Sequence, residues 1–262
     1  MTFEKLHTVY ELKAFRILIK EFRKLSAKLP IEILTPTNAE NVISVFIRKS
    51  SLQNALFKIH LIIGQDAGKR QLQEFAKLER GLKRRPASKY PLFSKAFQAW
   101  LLNYYQQYGG ENITLLTETY VEAVVNEIQK ATEANETMEQ MRDRILKTVN
   151  SPNFYKWQAA RIARTETTFA INAGTEITGD FTEIVVLKKW MTRRDGKERT
   201  THLEADNQTI ERDELFTVGG ERLKYPGDKS SGASASNLVN CRCERTFIAK
   251  RDADGNLVMK NN

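Results

Sequence analysis

Apolar residues recur at helical spacing along the front of the chain. Leu6, Val9/Tyr10, Phe15, Leu18, Phe22 and Leu25 form one stripe that ends at Pro30. Thr37-Asn38-Ala39-Glu40 is a second start signal, in which Thr37 can cap a first-turn amide while Glu40 reaches back. Val42, Phe46, Leu52, Leu56, Ile59 and Ile63 then predict one long helix, weakened near Gly64 and Gly68. Residues 80–86 read as a basic connector. Phe93, Phe97, Trp100, Leu101 and Tyr104 predict a helix over residues 92–108, and Gly109-Gly110 is the clearest boundary. Residues 113–130 and 137–149 read as two more helices, the second opened by the capping-box pattern Thr137-Met138-Glu139-Gln140. Ser151-Pro152 starts a helix that runs to about Thr178.

After Gly179 the period shortens. Ile184-Val185-Val186-Leu187, continuing into Lys188-Lys189-Trp190-Met191, is a β-branched run expected of a strand. Asp195-Gly196 supplies turn chemistry for a hairpin, with Arg199 and His202 on its returning arm. Further turns fall at Asp206-Asn207, Gly219-Gly220, Pro226-Gly227 and residues 230–236, and residues 239–248 predict a last strand. The fold class is therefore α+β: a long, mainly helical N-terminal part followed by a small β-rich C-terminal module packed on a helix. The expected organisation is a basic helical region over 1–110, a motif-bearing domain over 111–251 (helices 111–178, β-rich 181–251) and a tail over 252–262.

Charge sharpens this division. Residues 1–110 hold 19 Lys/Arg against 8 Asp/Glu, residues 111–180 hold 7 against 11, and residues 181–262 hold 15 against 13. The positive excess is thus in the front, which invites nucleic acid or an acidic protein surface; an ordinary solvated helix face explains it equally well. Lys83, Arg84 and Arg85 are the candidate DNA contacts. No apolar run reaches the roughly 20 residues that span a bilayer, and the start has no signal-peptide core, so a soluble protein made and kept in a cytoplasm is expected. Two cysteines, one residue apart, exclude a disulfide scaffold.

Three places carry candidate chemistry. On the helix containing Arg164-Thr165-Glu166, Glu166 falls on the apolar face of Ile162, Phe169, Ala173 and Ile177, while Arg164 points away. A buried carboxylate needs a partner, and Arg199, Arg242 and His202 are the candidates; a structural ion pair is favoured over a catalytic acid. On an extended arm Arg199 and His202 face opposite sides, so sharing a site requires a bend. In Asn240-Cys241-Arg242-Cys243 a regular strand places both thiols on one face. With His202, and Asp228 as a fourth ligand, they would suit zinc; the leading reading is two small thiols packed against Trp190 or Phe216, with no cofactor.

Taken in order, Arg164-Thr165-Glu166, Lys189-Trp190, Asp195, Arg199, His202, Phe216, Pro226-Gly227-Asp228 and Asn240-Cys241-Arg242-Cys243 resemble the Mu F-like head morphogenesis family of tailed phages. The resemblance covers about residues 113–250 and does not extend to residues 1–110. One departure is Asp206-Asn207-Gln208, where a glycine is usual; Asn tolerates the left-handed backbone. The resemblance implies a minor head protein of a phage or prophage virion, in the head interior or at the portal vertex and assembled in the host cytoplasm. Its implied partners are the portal protein, a scaffold or major capsid protein and packaged double-stranded DNA, and its implied role is head morphogenesis with DNA packaging, delivery or ejection. It implies no catalytic activity, and Arg164, Thr165, Glu166, Trp190, Asp195, Arg199, Asn240 and Arg242 become structural motif residues. Two other readings stand beside it: a ribonuclease-like enzyme with His202 as general base and Arg199 and Glu166 as electrostatic partners, and a zinc-dependent nucleic-acid-binding module.

Overall fold

The computed structural model describes residues 3–35, 37–48, 51–79 and 90–260. Helices α1 (Phe3–Ala27), α2 (Ala39–Arg48), α3 (Leu52–Glu79), α4 (Tyr90–Glu133), α5 (Met138–Val149) and α6 (Pro152–Thr178) come first. Strand β1 (Val186–Met191), the short α7 (Thr200–Glu204), β2 (Thr209–Glu211), β3 (Phe216–Val218), β4 (Glu221–Leu223), α8 (Ala235–Leu238) and β5 (Glu244–Ala249) follow. The protein is α+β, as the change of hydrophobic period predicts.

Several boundaries follow directly from local chemistry. Thr137 caps α5: its hydroxyl accepts the Gln140 amide at 3.3 Å, and the Gln140 side chain accepts the Thr137 amide at 2.8 Å. Asn207 takes the left-handed conformation at φ 67°, so the Asp206-Asn207 turn forms without a glycine. Ahead of α2, Asn38 rather than Thr37 ties down the turn, accepting the Thr35 amide and donating to the Ile33 carbonyl, each at 2.8 Å.

Other boundaries need correction. The single helix expected across residues 42–63 is two, α2 and α3. The break expected at Gly109-Gly110 is absent, because α4 runs unbroken from Tyr90 to Glu133. A helical glycine costs only about 1 kcal/mol relative to alanine, too little to end a helix of this length. Gly64 and Gly68 likewise lie inside α3, and their task is close packing. A Cβ on Gly68 would collide with the Phe93 ring, and a Cβ on Gly174 of α6 would strike the backbone of Gly64.

Two compact units emerge, and they do not divide at residue 110. One comprises Leu12–Lys58 and Tyr104–Ala163. Its core holds Leu18, Phe22, Ile43, Ile47, Tyr120, Val124, Ile145 and Val149, with Phe22 and Tyr120 stacked at 6.1 Å and the Ser26 hydroxyl donating to the Val149 carbonyl at 3.0 Å. The other comprises Met1–Glu11, Ile59–Asn103 and Arg164–Asn262. In it the β-rich module packs on the second half of α6, and segments of α1, α3 and α4 complete the burial of that helix.

The module has a three-stranded antiparallel sheet in the order β2-β1-β5 and a two-stranded antiparallel pair β3-β4. Trp190 of β1 stands opposite Arg245 of β5. Alternation along β1 turns Val186, Lys188 and Trp190 inward. Trp190, Ala205, Phe216, Val218, Leu223, Leu238, Cys241 and Cys243 form the module's core.

Candidate functional site

Helix α6 holds the module through polar side chains at four-residue spacing, which places them along one helix face. Arg164 Nη1 donates to Asn240 Oδ1 at 3.1 Å, and its Nε donates to Glu11 at 3.1 Å. The Thr168 hydroxyl donates to the Cys241 carbonyl. Asn172 donates to the Cys243 carbonyl at 3.2 Å and accepts the Arg245 amide at 2.8 Å. Thr165 accepts the Asn240 amide at 3.0 Å. The segment 240–243 is therefore an irregular hook leading into β5, not the strand expected from residue 239. Asn240 turns the hook with φ 58°.

Glu166 is buried on α6, as its helical position requires, but its partners are none of the three expected. His60 Nε2 lies 2.7 Å from Glu166 Oε2, and Lys229 Nζ lies 3.3 Å from Oε1. Burial alone would raise the Glu166 carboxyl; the Lys229 charge and the His60 hydrogen bond outweigh it and hold the group down to about 2. Burial pushes the His60 imidazole below its ordinary value despite Glu166. His60 therefore acts as a neutral donor, and Lys229 supplies the opposing charge. Lys229 arrives through the turn before it: Gly227 has φ 84°, and a Cβ there would press on Phe169 of α6 at 3.1 Å.

His202 lies in α7 and Arg199 immediately precedes it, so neither stands on a hairpin arm. Arg199 is the residue before the first turn, and its guanidinium donates to the Val239 carbonyl, fastening α7 to the hook. His202 points inward, with 2% of its surface exposed. Its Nδ1 stands 3.3 Å from Cys243 Sγ and 3.7 Å from Cys241 Sγ. Trp190 Nε1 donates to Thr192 Oγ1 at 3.1 Å, and Thr192 donates to the His202 carbonyl at 2.6 Å. The Trp190 and His202 rings are nearly perpendicular, with centroids 5.7 Å apart. The Cys243 amide donates to Cys241 Sγ at 3.4 Å. The hydrogen bond from Cys241, helped by His202 and Thr192, draws the Cys243 thiol down to about 5, whereas Cys241 is pushed up by that same bond and by burial.

The other expected site residues are distributed as follows. Arg242 makes a two-pronged contact to the Asp195 carboxylate, the Nη2 arm at 2.9 Å, and Arg193 joins at 3.2 Å. Asp228 does not meet the thiols. Its carboxylate accepts the Lys224 and Ser230 amides at 3.0 and 2.9 Å and the Ser230 and Ser231 hydroxyls at 2.6 and 3.1 Å, so it organises its own turn. His202 and Arg199 line one small cavity; Glu166, held by His60 and Lys229, is not among its walls. Lys83, Arg84 and Arg85 lie outside the described residues.

Sequence patterning misses further buried polar groups. His7 is fully buried, with Nε2 3.1 Å from the Thr168 hydroxyl; burial, then the charges of Arg193, Arg242 and Arg164, lower it to about 4. Lys188 lies inside the sheet, donating to the Lys224 carbonyl at 3.1 Å, and burial lowers it to about 8. Arg245 is buried with Nη2 3.3 Å from Glu176 and its guanidinium 3.8 Å over the Phe247 ring. Strand alternation is the signal that could have found Lys188, because it shares a face with Val186 and Trp190.

The ordered motifs are thus one connected structure: α6 to hook, hook to α7, α7 to β1, and hook to the Asp195 turn. Residues 119–246 match the family model described as Phage Mu protein F like protein. This part of the chain is a Mu F-like domain. The family is a structural family of phage head proteins. Among curated proteins, NAD(+)--arginine ADP-ribosyltransferase EFV of Enterococcus faecalis (strain ATCC 700802 / V583) is 38% identical over 89 residues, 33% of this chain and 18% of that protein. The chain therefore spans less than a fifth of that relative's length. No solved structure matches the chain. Among the described residues, no helix is long and apolar enough to cross a membrane.

Proposed function

We propose that the protein is a minor head protein of a tailed phage or prophage that works at the portal vertex, in head morphogenesis and in DNA packaging or delivery. The observation that carries the reading is the Mu F-like domain over residues 119–246, whose motif residues make structural contacts. Arg164, Thr165, Glu166, Asp195, Arg199, Asn240 and Arg242 all spend their polar groups on contacts within the protein. Such a framework suits a rigid module that presents a surface to a partner. In this reading the partners are the portal protein and a scaffold or major capsid protein. The basic front of the chain lies near packaged double-stranded DNA in the head interior.

Purified proheads and mature heads from the phage or induced prophage test this. The protein is expected in few copies per head, co-purifying with the portal protein after capsid disruption. Heads that lack it while its gene is intact and expressed overturn the assignment.

A further inference from the structure

His202, Cys241 and Cys243 are brought together from α7 and the hook, and all three are buried. Their ligand atoms lie within 4.8 Å of one another. A tetrahedral zinc ion with Zn–S of about 2.3 Å and Zn–N of about 2.0–2.1 Å sets its nitrogen and sulfur ligands roughly 3.5 Å apart. The two N···S separations here are 3.3 and 3.7 Å, on either side of that value. Both sulfurs have weak partners already, the Cys243 amide on Cys241 Sγ at 3.4 Å and Thr192 Oγ1 at 3.8 Å from Cys243 Sγ. A single Nδ1, however, has one proton or one lone pair and can serve only one of two sulfurs at nearly equal reach. A cation at the common point satisfies all three.

The surroundings hold the main chain of each of the three residues in place. Thr168 and Asn172 of α6 hold the carbonyls of Cys241 and Cys243, and Thr192 holds the carbonyl of His202. The Cys243 amide points at Cys241 Sγ, a donor that favours sulfur in its anionic form. Nδ1 of His202 is the ring atom that faces both sulfurs, while its buried Nε2 has no hydrogen-bond partner among the described residues, so the ring itself is held by packing against Trp190. The adjoining cavity, about 20 Å³ and lined by Arg193, Arg199 and Arg242, has room for one water-sized group.

We propose that the Mu F-like domain binds one zinc ion through His202 Nδ1, Cys241 Sγ and Cys243 Sγ, with a water-sized fourth ligand from the adjoining cavity. Two thiolates and a neutral imidazole cancel the ion's charge, and the ion locks α7 to the hook. Asp228 is not a ligand. The metal would add a structural bond to the module, since binding that requires the folded arrangement stabilises it.

The full chain, purified under reducing conditions without chelator, is analysed for metal and then stripped and titrated with cobalt(II). About one equivalent of zinc per chain is expected, with thiolate-to-cobalt charge-transfer absorption and tetrahedral d–d bands in the substituted protein. His202→Gln and Cys243→Ser should each lose the metal while keeping the wild-type far-ultraviolet circular dichroism. Because the cobalt spectrum is read on the wild-type chain, a variant that fails to fold does not decide the question. Zinc below about a tenth of an equivalent together with no cobalt charge-transfer band overturns the proposal. So does a Cys241–Cys243 disulfide in freshly purified protein, or full zinc retention in a folded His202→Gln variant.

Discussion

His60 Nε2 lies 2.7 Å from Glu166 Oε2, and His60 is wholly enclosed while Glu166 exposes 4% of its surface. Lys229 completes the cluster from the turn after Asp228. Breaking a buried charge pair by removing one partner is strongly destabilising, because the other charge is left uncompensated. Lys229→Met should therefore cost about 3–5 kcal/mol in urea unfolding. The double variant Glu166→Leu/Lys229→Met removes both charges and should recover most of that loss. Equal destabilisation of the single and double variants would show that the charges do not matter.

Acid should weaken the protein through two groups in turn. His7 binds its proton less readily in the folded state, at about 4 against 6.5. Between those values the unfolded chain holds more protons, so stability falls as pH drops from 6.5 towards 4. Glu166 is held at about 2 against 4.5, so its contribution is present above 4.5 and is lost as pH falls towards 2. Each shift corresponds to about 3 kcal/mol at most. Burial raises the Glu244 carboxyl to about 8, and its contribution runs the other way over the same window, so the test of His7 is a difference. In thermal melts between pH 6.5 and 4.5, the Tm of the His7→Gln variant should change less steeply towards loss than that of the wild type. Parallel Tm profiles for the two proteins over that window would contradict the assignment of His7.

Local rules expressed in a few residues were legible in the sequence. The capping box at Thr137, the start of α6 at Pro152, the β1 run and the left-handed Asn207 turn each depend on contacts a few positions apart. Partners of buried polar groups were not legible. Glu166 meets His60 across 106 positions, and helical phase shows that a partner is required without showing which. Gly109-Gly110 misled because glycine weakens a helix without stopping one. Asp195-Gly196 misled in another way: its turn leads into α7, only five residues long, and five residues are too few to show a helical period. The two thiols did share a side with His202, yet through an irregular hook, and Asp228 was already committed to its own turn.

Asn240 combines a left-handed backbone with two contacts to α6. Asn240→Gly keeps the backbone conformation and loses the bond to Arg164, so a loss below about 1 kcal/mol is expected. Asn240→Ala adds the left-handed penalty of roughly 1–2 kcal/mol for a residue with a Cβ. Alanine should thus be the worse replacement in chemical denaturation. If alanine proved as stable as glycine, the hook would not need its left-handed turn.

Gly174 and Gly196 separate two reasons for glycine. At Gly196 φ is 76° and nothing stands within 4 Å of a Cβ, so Gly196→Ala should cost only the backbone strain, about 1–2 kcal/mol. At Gly174 the obstacle is the main chain of Gly64, where α3 and α6 cross. A side chain in the way could rotate aside, but two crossing helix backbones must separate along their whole contact, loosening the Phe93 and Phe97 packing against α3 as well. Gly174→Ala should therefore cost about 3 kcal/mol or more, the upper end of overpacking penalties. Denaturation of the two alanine variants under one set of conditions checks the order. A Gly174→Ala protein as stable as the Gly196→Ala protein would mean that α3 and α6 do not cross as closely as this structure places them.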